Sequence, residues 1–334
     1  MATLTRRGAL AMLPAFALLG RGDVARAAQH FEGKTISILC GYNPGGGVDL
    51  GTRLIAENIG PYIPGQPKVI VQNMEGAAGI VSANFLYSKG SKDGLTLGVP
   101  GRDWLLKPML NFPNARFDPL KFNYIGSTGE TNVVAFVNAA KGVRTAEELR
   151  KASGKVLFGG LPGATVNTLA PALLGARGWP IEVIRGYAQT ALIVLAMERG
   201  ELDAIYTPES SFARRRDLID SGKVLTLFQS GRMIPDLPSI EDLIDPQDRE
   251  LMRLAHGQIP VGMPLVAPPG VAPEIVEVLR AAFMAMATDP KFEAPARRID
   301  EPFGAPLSGA VLQERISRMV AAITPQTVEA YAKL

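Results

Sequence analysis

Cysteine is nearly absent from this chain. Cys40 is the single one in 334 residues, so an internal disulfide is excluded. Histidine is almost as scarce. His30 and His256 are the whole supply, and no His, Cys or acidic pair stands at a metal-ligand spacing such as H-E-x-x-H or C-x-x-C. No Gly-x-Ser-x-Gly elbow and no Gly-x-x-x-x-Gly-Lys-Ser/Thr run occurs, which removes the usual signatures of a serine hydrolase and of a P-loop. Beyond residue 20 no apolar run is long enough to span a membrane, which takes about 20 residues. Tandem repeats and low-complexity segments are missing too, and the 26 prolines and 35 glycines are spread as in a loop-rich α/β protein. No catalytic set, metal site or cofactor is expected.

Excess charge is also missing once the N-terminus is set aside. The chain holds 35 Lys+Arg against 32 Asp+Glu, a formal +3. Arg6, Arg7, Arg21 and Arg26 against Asp23 carry that whole excess within residues 1–27. The remainder is balanced and offers no electrostatic case for binding nucleic acid. Residues 1–27 read as an export signal. Arg6-Arg7 precede an uncharged run from Gly8 to Gly20, and Ala25-Arg26-Ala27 is a small-x-small cleavage site that makes Ala28 the first exported residue. Thr5-Arg6-Arg7-Gly8 fits a twin-arginine signal as well as an ordinary Sec one, so both routes to the periplasm stay open.

What the sequence does contain is alternation. The length left after the signal exceeds what one core usually supports, so two lobes are expected. Short apolar runs predict strands over 35–40, 68–72, 96–99, 123–127, 132–137, 156–159, 181–184, 202–206, 224–228 and 264–267. Between and after them the pattern predicts helices over 48–59, 80–88, 145–152, 166–175, 190–199, 212–221, 273–287 and most of 307–331. Thr145 with Glu148 three residues on is a capping box. Such alternation argues for mixed sheets flanked by helices, an α/β fold. Cys40 reads as a buried core residue, His30 as part of a frayed N-terminus and His256 as a loop residue.

Four strand-to-helix loops are built of small residues. They are Gly41 to Asp49, Asn73 to Gly79, Gly159 to Asn167 and Gly186 to Thr190. Small residues permit close backbone approach, and a helix N-terminus offers N–H groups with partial positive charge, so the favoured ligand is an anion. Thr165 and Thr190 add hydroxyls that can cap a helix or donate to an oxygen. The first loop comes near a dinucleotide fingerprint, but Leu50 stands where the third glycine belongs and Gly51 comes one residue late. Asp49 is acceptor-only when ionised, so it is expected to satisfy backbone donors of its own loop rather than to meet an anion.

Here the chain resembles a known family. Pro44-Gly45-Gly46-x-x-Asp49 followed by Arg53 resembles the first signature of Bug-type (TctC-like) solute receptors, the extracytoplasmic components of tripartite tricarboxylate transporters. Val71-Gln72-Asn73-Met74-Glu75-Gly76-Ala77-Ala78-Gly79 is similar to the family's V-E-N-x-P-G-A-G-G, and Lys92-Asp93-Gly94-Leu95-Thr96-Leu97 to its P-D-G-Y-T-L. Residues 183–191 resemble the stretch around its P-Y-K-G, and Gly200-Glu201-Leu202-Asp203 its G-x-V-D. Pro235-Asp236-Leu237-Pro238-Ser239 resembles a P-D-x-P-T, and residues 266–273 the A-P-x-G-T-P that leads into a late helix. Order and spacing hold over nearly the whole chain after the signal.

The resemblance implies a two-lobed, Venus-flytrap fold of the periplasmic-binding-protein kind, with two crossovers between lobes. Residues 28–131 plus 257–334 would form the first lobe and 132–256 the second. It implies a monomeric periplasmic receptor that closes on a small organic carboxylate, hands it to membrane permease subunits and performs no chemistry. Carried over by motif, Tyr42, Asn43, Pro44, Gly45, Gly46, Gly47, Ala77 and Ala78 form one wall, with Asp49 behind them. Gly163, Ala164 and Thr165 supply N–H and hydroxyl donors from the other lobe, and Tyr187 and Asp203 face the cleft. The chain departs from the family pattern at Glu75 and Gly186, each in place of a proline, and at Ala188-Gln189 in place of Lys-Gly. No arginine lies in the four loops, so a bidentate clamp on each carboxylate is not expected; Arg102 and Arg185 flank them. Arg214-Arg215-Arg216 reads as a solvated helix face. Two other readings stay open: an exported α/β enzyme acting on carboxylates, with Asp49 or Asp203 as base, and a ligand-sensing module for a membrane kinase.

Overall fold

The alternation folds into two mixed sheets in a computed structural model, which describes residues 21–101, 104–161, 165–209, 212, 215–257, 259–298 and 305–333. The strands in chain order are β1 (Thr35–Cys40), β2 (Lys68–Asn73), β3 (Thr96–Val99), β4 (Asn123–Ser127), β5 (Val133–Asn138), β6 (Val156–Gly160), β7 (Ile181–Arg185), β8 (Ala204–Pro208), β9 (Val224–Gln229), β10 (Pro264–Ala267) and β11 (Leu307–Ser308). The chain packs as two compact units, one taking it to residue 130 together with 261–320, the other taking 131–260 with 321–334.

The sheet of the first unit runs β11-β4-β10-β3-β1-β2. Strand β1 pairs parallel with β2 and β3, while β10 lies antiparallel between β3 and β4. Ile36, Ile38, Leu39 and Cys40 of β1 are all buried, as expected of a strand covered on both faces. One cover is the helix Gly47–Ile59, whose Thr52, Ile55, Ala56 and Ile59 repeat at the spacing of one helical face and are buried. Another is Pro273–Ala287, started by its proline, which buries Leu279, Ala282, Phe283 and Met286 on one stripe. The Phe283 ring lies so close to β4 that a Cβ at Gly126 would come within 2.1 Å of it.

The N-terminal end differs from the sequence expectation. Helix Arg21–Phe31 carries His30, so this histidine is not in a frayed segment. Phe31 is fully buried, and the His30 Nε2 lies 2.7 Å from the Asp93 carbonyl oxygen.

In the second unit the sheet runs β7-β6-β8-β5-β9, with β6 parallel to β7 and β8 and β5 antiparallel to β8 and β9. Its core gathers Val134, Phe136, Ile193, Met197, Ile205 and Phe212, with the Phe136 and Phe212 rings stacked at 4.1 Å. Strand β8 starts two residues later than the sequence pattern suggests. Glu201 and Leu202 are held back by bonds from their N–H groups to the Ala196 carbonyl, and Leu202 packs in the core beside the strand. Of the helix expected over 212–221, Arg216–Asp220 is α-helical. The C-terminal run breaks at Thr324, which caps a separate helix Pro325–Ala332. That helix packs on Arg249–Ala255, where the Thr327 hydroxyl donates to Glu250 at 3.3 Å, so the last residues join the second unit.

His256 follows Arg249–Ala255 as its C-cap and is buried rather than in an open loop. Its Nε2 and the hydroxyl of buried Tyr206 are 2.9 Å apart. Burial pushes the imidazole from its ordinary 6.5 down to about 3. The folded protein therefore keeps His256 neutral where the unfolded chain takes up a proton, and stability falls as pH drops below 6.5. Urea denaturation at pH 7.5 and pH 5 should show His256 contributing about 2 kcal/mol of that loss. His256→Gln should flatten the dependence by the same amount; an unchanged slope would contradict the assignment.

Candidate functional site

Because β1, β2 and β3 are parallel, the loops that follow them leave from one edge of the first unit's sheet. Contacts that only glycine permits lock these loops together. A Cβ at Gly41 would come within 2.7 Å of the Pro100 oxygen, and one at Gly79 within 1.9 Å of the same atom. A Cβ at Gly101 would run into the Tyr42 ring at 2.2 Å. Larger residues at these points would push the three loops apart.

The first loop is braced from within by Asp49, 1 % exposed in the first turn of Gly47–Ile59. Its Oδ2 accepts from the Gly45 N–H at 2.8 Å and from Arg53 Nε at 2.9 Å, and its Oδ1 accepts from Asn73 Nδ2 at 2.7 Å. The same Asn73 nitrogen donates to the Tyr42 carbonyl at 2.8 Å, and Asn73 Oδ1 accepts from the Arg53 guanidinium at 3.0 Å. Burial by itself would raise the Asp49 carboxyl, but the bonds from Arg53, Asn73 and Gly45 outweigh it and hold the group below its ordinary 3.8. The carboxylate thus serves its own loop and the end of β2.

The second loop is held in an unusual backbone. Gly76, Ala77, Ala78 and Gly79 have φ of 135°, 47°, 49° and 89°. An alanine in the left-handed region costs roughly 1–2 kcal/mol, so two in succession persist only where the surroundings impose them. The Ala77 and Ala78 N–H groups find no acceptor among the described residues, nor do those of Gly47 and Val48 at the start of Gly47–Ile59. A Cβ at Gly45 or Gly47 would meet nothing within 4 Å, so space is open above the loop. Lys107, absent from the sequence expectations, is buried beside this loop. Its Nζ donates to the Ala78 carbonyl at 3.4 Å and lies 5.3 Å from the Phe112 ring centre. Nothing local in the sequence marks a lysine for burial.

In the second unit, Gly163 and Ala164 lie outside the described residues. Thr165 is the N-cap of Val166–Ala176, and its N–H donates to the Thr168 hydroxyl at 3.0 Å. The backbone donor expected to face a ligand is spent inside the helix cap, and Thr165 is 2 % exposed. Tyr187 follows β7, half-buried against the core, and its hydroxyl has no hydrogen-bond partner among the described residues. Asp203 departs from expectation. It precedes β8 at the level where Phe158 pairs with Ala204, so it lies at the end of the sheet opposite Thr165 and Tyr187. There its Oδ2 accepts from the Leu157 N–H at 2.8 Å and from Lys141 Nζ at 2.7 Å, a structural pin.

Two mixed sheets flanked by helices, with small-residue loops at strand ends, define the class of the two-lobed periplasmic binding proteins. Within that class the sequence pattern of the tripartite tricarboxylate transporter family receptor matches residues 52–300, and the chain belongs to this family. It is 27% identical over 315 residues to the UPF0065 protein in gbd 5'region of Cupriavidus necator, covering 90% of this chain and 89% of that one. It is similar in structure to MatC from Rhodopseudomonas palustris with bound malate, at TM-score 0.62 and 19% identity over 87% of this chain and 99% of that one. A second R. palustris protein, solved with adipate, matches at TM-score 0.66 and 17% identity over 90% and 97%.

Asp49→Ala leaves the Gly45 N–H without its acceptor and removes one bond each from the Asn73 amide and the Arg53 guanidinium. Urea denaturation at pH 7 should show a loss of about 3 kcal/mol, and a smaller one for Asp49→Asn, which keeps one acceptor oxygen. Because the folded carboxyl is held below its unfolded value, this stabilisation is present above pH 3.8 and is lost as pH falls through the folded value. A loss below about 0.5 kcal/mol for Asp49→Ala would contradict the bracing role.

Proposed function

We propose that the chain is an exported solute receptor that captures a small organic carboxylate for the membrane permease of a tripartite tricarboxylate transporter and performs no chemistry on it. The observation that carries this reading is the loop cluster of the first unit. There four backbone N–H groups, at Gly47, Val48, Ala77 and Ala78, are unspent beside open space and are held in place by Asp49, Asn73 and interlocked glycines. Backbone donors at a helix N-terminus and in a left-handed run stabilise an anion without a full cation, which suits capture followed by release. In the second unit we assign Tyr187, whose hydroxyl has no partner among the described residues, to ligand binding. The receptor family and its relatives solved with malate and adipate support the choice of a carboxylate. The N-terminal signal supports a periplasmic location, and the receptor works as a monomer that presents its loaded form to the permease.

A thermal-shift and calorimetric panel of mono-, di- and tricarboxylates, acidic amino acids and aromatic acids tests this. At a hundredfold excess over Kd the bound carboxylate should add about 2.7 kcal/mol of stability, a rise of several degrees in Tm. Failure of every carboxylate to stabilise the protein would overturn the reading, as would turnover of one of them that Asp49→Asn abolishes.

A further inference from the structure

Glu75 occupies the place where the family pattern has proline, on the loop after β2. Its side chain is exposed and meets Asn43 of the loop after β1, which is exposed as well. With its nitrogen turned toward Glu75, the Asn43 amide donates to both carboxylate oxygens, at 3.1 Å to Oε1 and also to Oε2. The opposite orientation would set the amide oxygen against a carboxylate, two acceptors face to face, so the contact itself fixes the amide. Asn43 therefore spends its donors on Glu75 and leaves its carbonyl oxygen for other partners.

No cation pairs with Glu75 among the described residues, and Arg53 is committed to Asp49 and Asn73. Two kinds of surface thus sit in one loop cluster. The N–H groups of Gly47, Val48, Ala77 and Ala78 are donors without acceptors. The Glu75 carboxylate and the Asn43 carbonyl oxygen form a patch of acceptors with no donor of their own beyond the amide between them. A plain di- or tricarboxylate suits the first surface and is repelled by the second, since like charges without a counter-ion disfavour each other. A ligand that also carries an ammonium group matches both.

Resting on the carboxylate-receptor reading above, we infer that the ligand is an amino-substituted carboxylate and that Glu75, with Asn43, selects it by accepting from its ammonium group. Charge-assisted hydrogen bonds of this kind are strong enough to set preference between ligands that differ in one group.

The test is calorimetric titration of the full chain with matched pairs that differ by one amine: aspartate against succinate, glutamate against glutarate, and γ-aminobutyrate against butyrate. For at least one pair the amino member should bind about tenfold tighter or better. Glu75→Gln should bring that ratio to within about threefold while the unliganded Tm stays within about 2 °C, because the side chain is exposed. If the unsubstituted members bind as tightly as the amino members, or if the preference survives Glu75→Gln, the inference falls while the carboxylate-receptor reading stands. If no member of any pair and no other carboxylate binds, both fall.

Discussion

A single buried carboxylate gives the first loop its shape. Asp49 has no solvent to satisfy it, so it draws the Gly45 N–H, the Arg53 side chain and the Asn73 amide to fixed positions around it. Because Asn73 ends β2 and also holds the Tyr42 carbonyl, the same network ties the loop after β1 to the strand beside it. The open N–H groups at Gly47 and Val48 stay where they are because this carboxylate, in the same first turn, anchors that turn to Gly45 and Asn73. Preorganised donors of this kind need no rearrangement when an anion arrives.

The second constraint is the absence of Cβ atoms where the loops cross. Gly41, Gly79 and Gly101 let Pro100 and Tyr42 come within contact of backbone, and that closeness holds Ala77 and Ala78 in a conformation alanine disfavours. Strain in the second loop is thus offset by packing in the first and third. A receptor must bind through backbone groups yet keep them from collapsing onto each other, and this interlock meets both demands. The loop chemistry then adds individuality. Glu75 and Asn43 put acceptors beside the donors, which fits a ligand with both kinds of charge.

The two units use buried polar groups differently. The first concentrates them beneath its loops. The second sets Asp203 and Lys141 at the far end of its sheet and buries Tyr206 of β8 against His256. Asp203 therefore reads as part of the scaffold, where its motif alone had suggested a ligand contact.

Much of this protein was legible from sequence. Short β-branched runs between helical patterns gave nine of the ten expected strands within a residue at each end, because β-branched residues bounded by turn formers favour a strand whether it lies at the centre or the edge of a sheet. The small-residue loops and the family's motifs were visible for the same reason: turn geometry and close approach are set by local residue types. Other features were not local. The start of β8 depended on a bond from Leu202 back to Ala196, and the break at Thr324 on a partner helix nearly eighty residues away. Asp49 as a brace was foreseeable from its acceptor-only chemistry, whereas the burial of Lys107 and His256, the spent N–H of Thr165 and the removal of Asp203 to the opposite end of its sheet were not. The sequence by itself determined which segments become strands and which loops are small enough to approach a ligand. Only the tertiary structure decided which polar groups remain open, because that depends on partners brought together from distant parts of the chain.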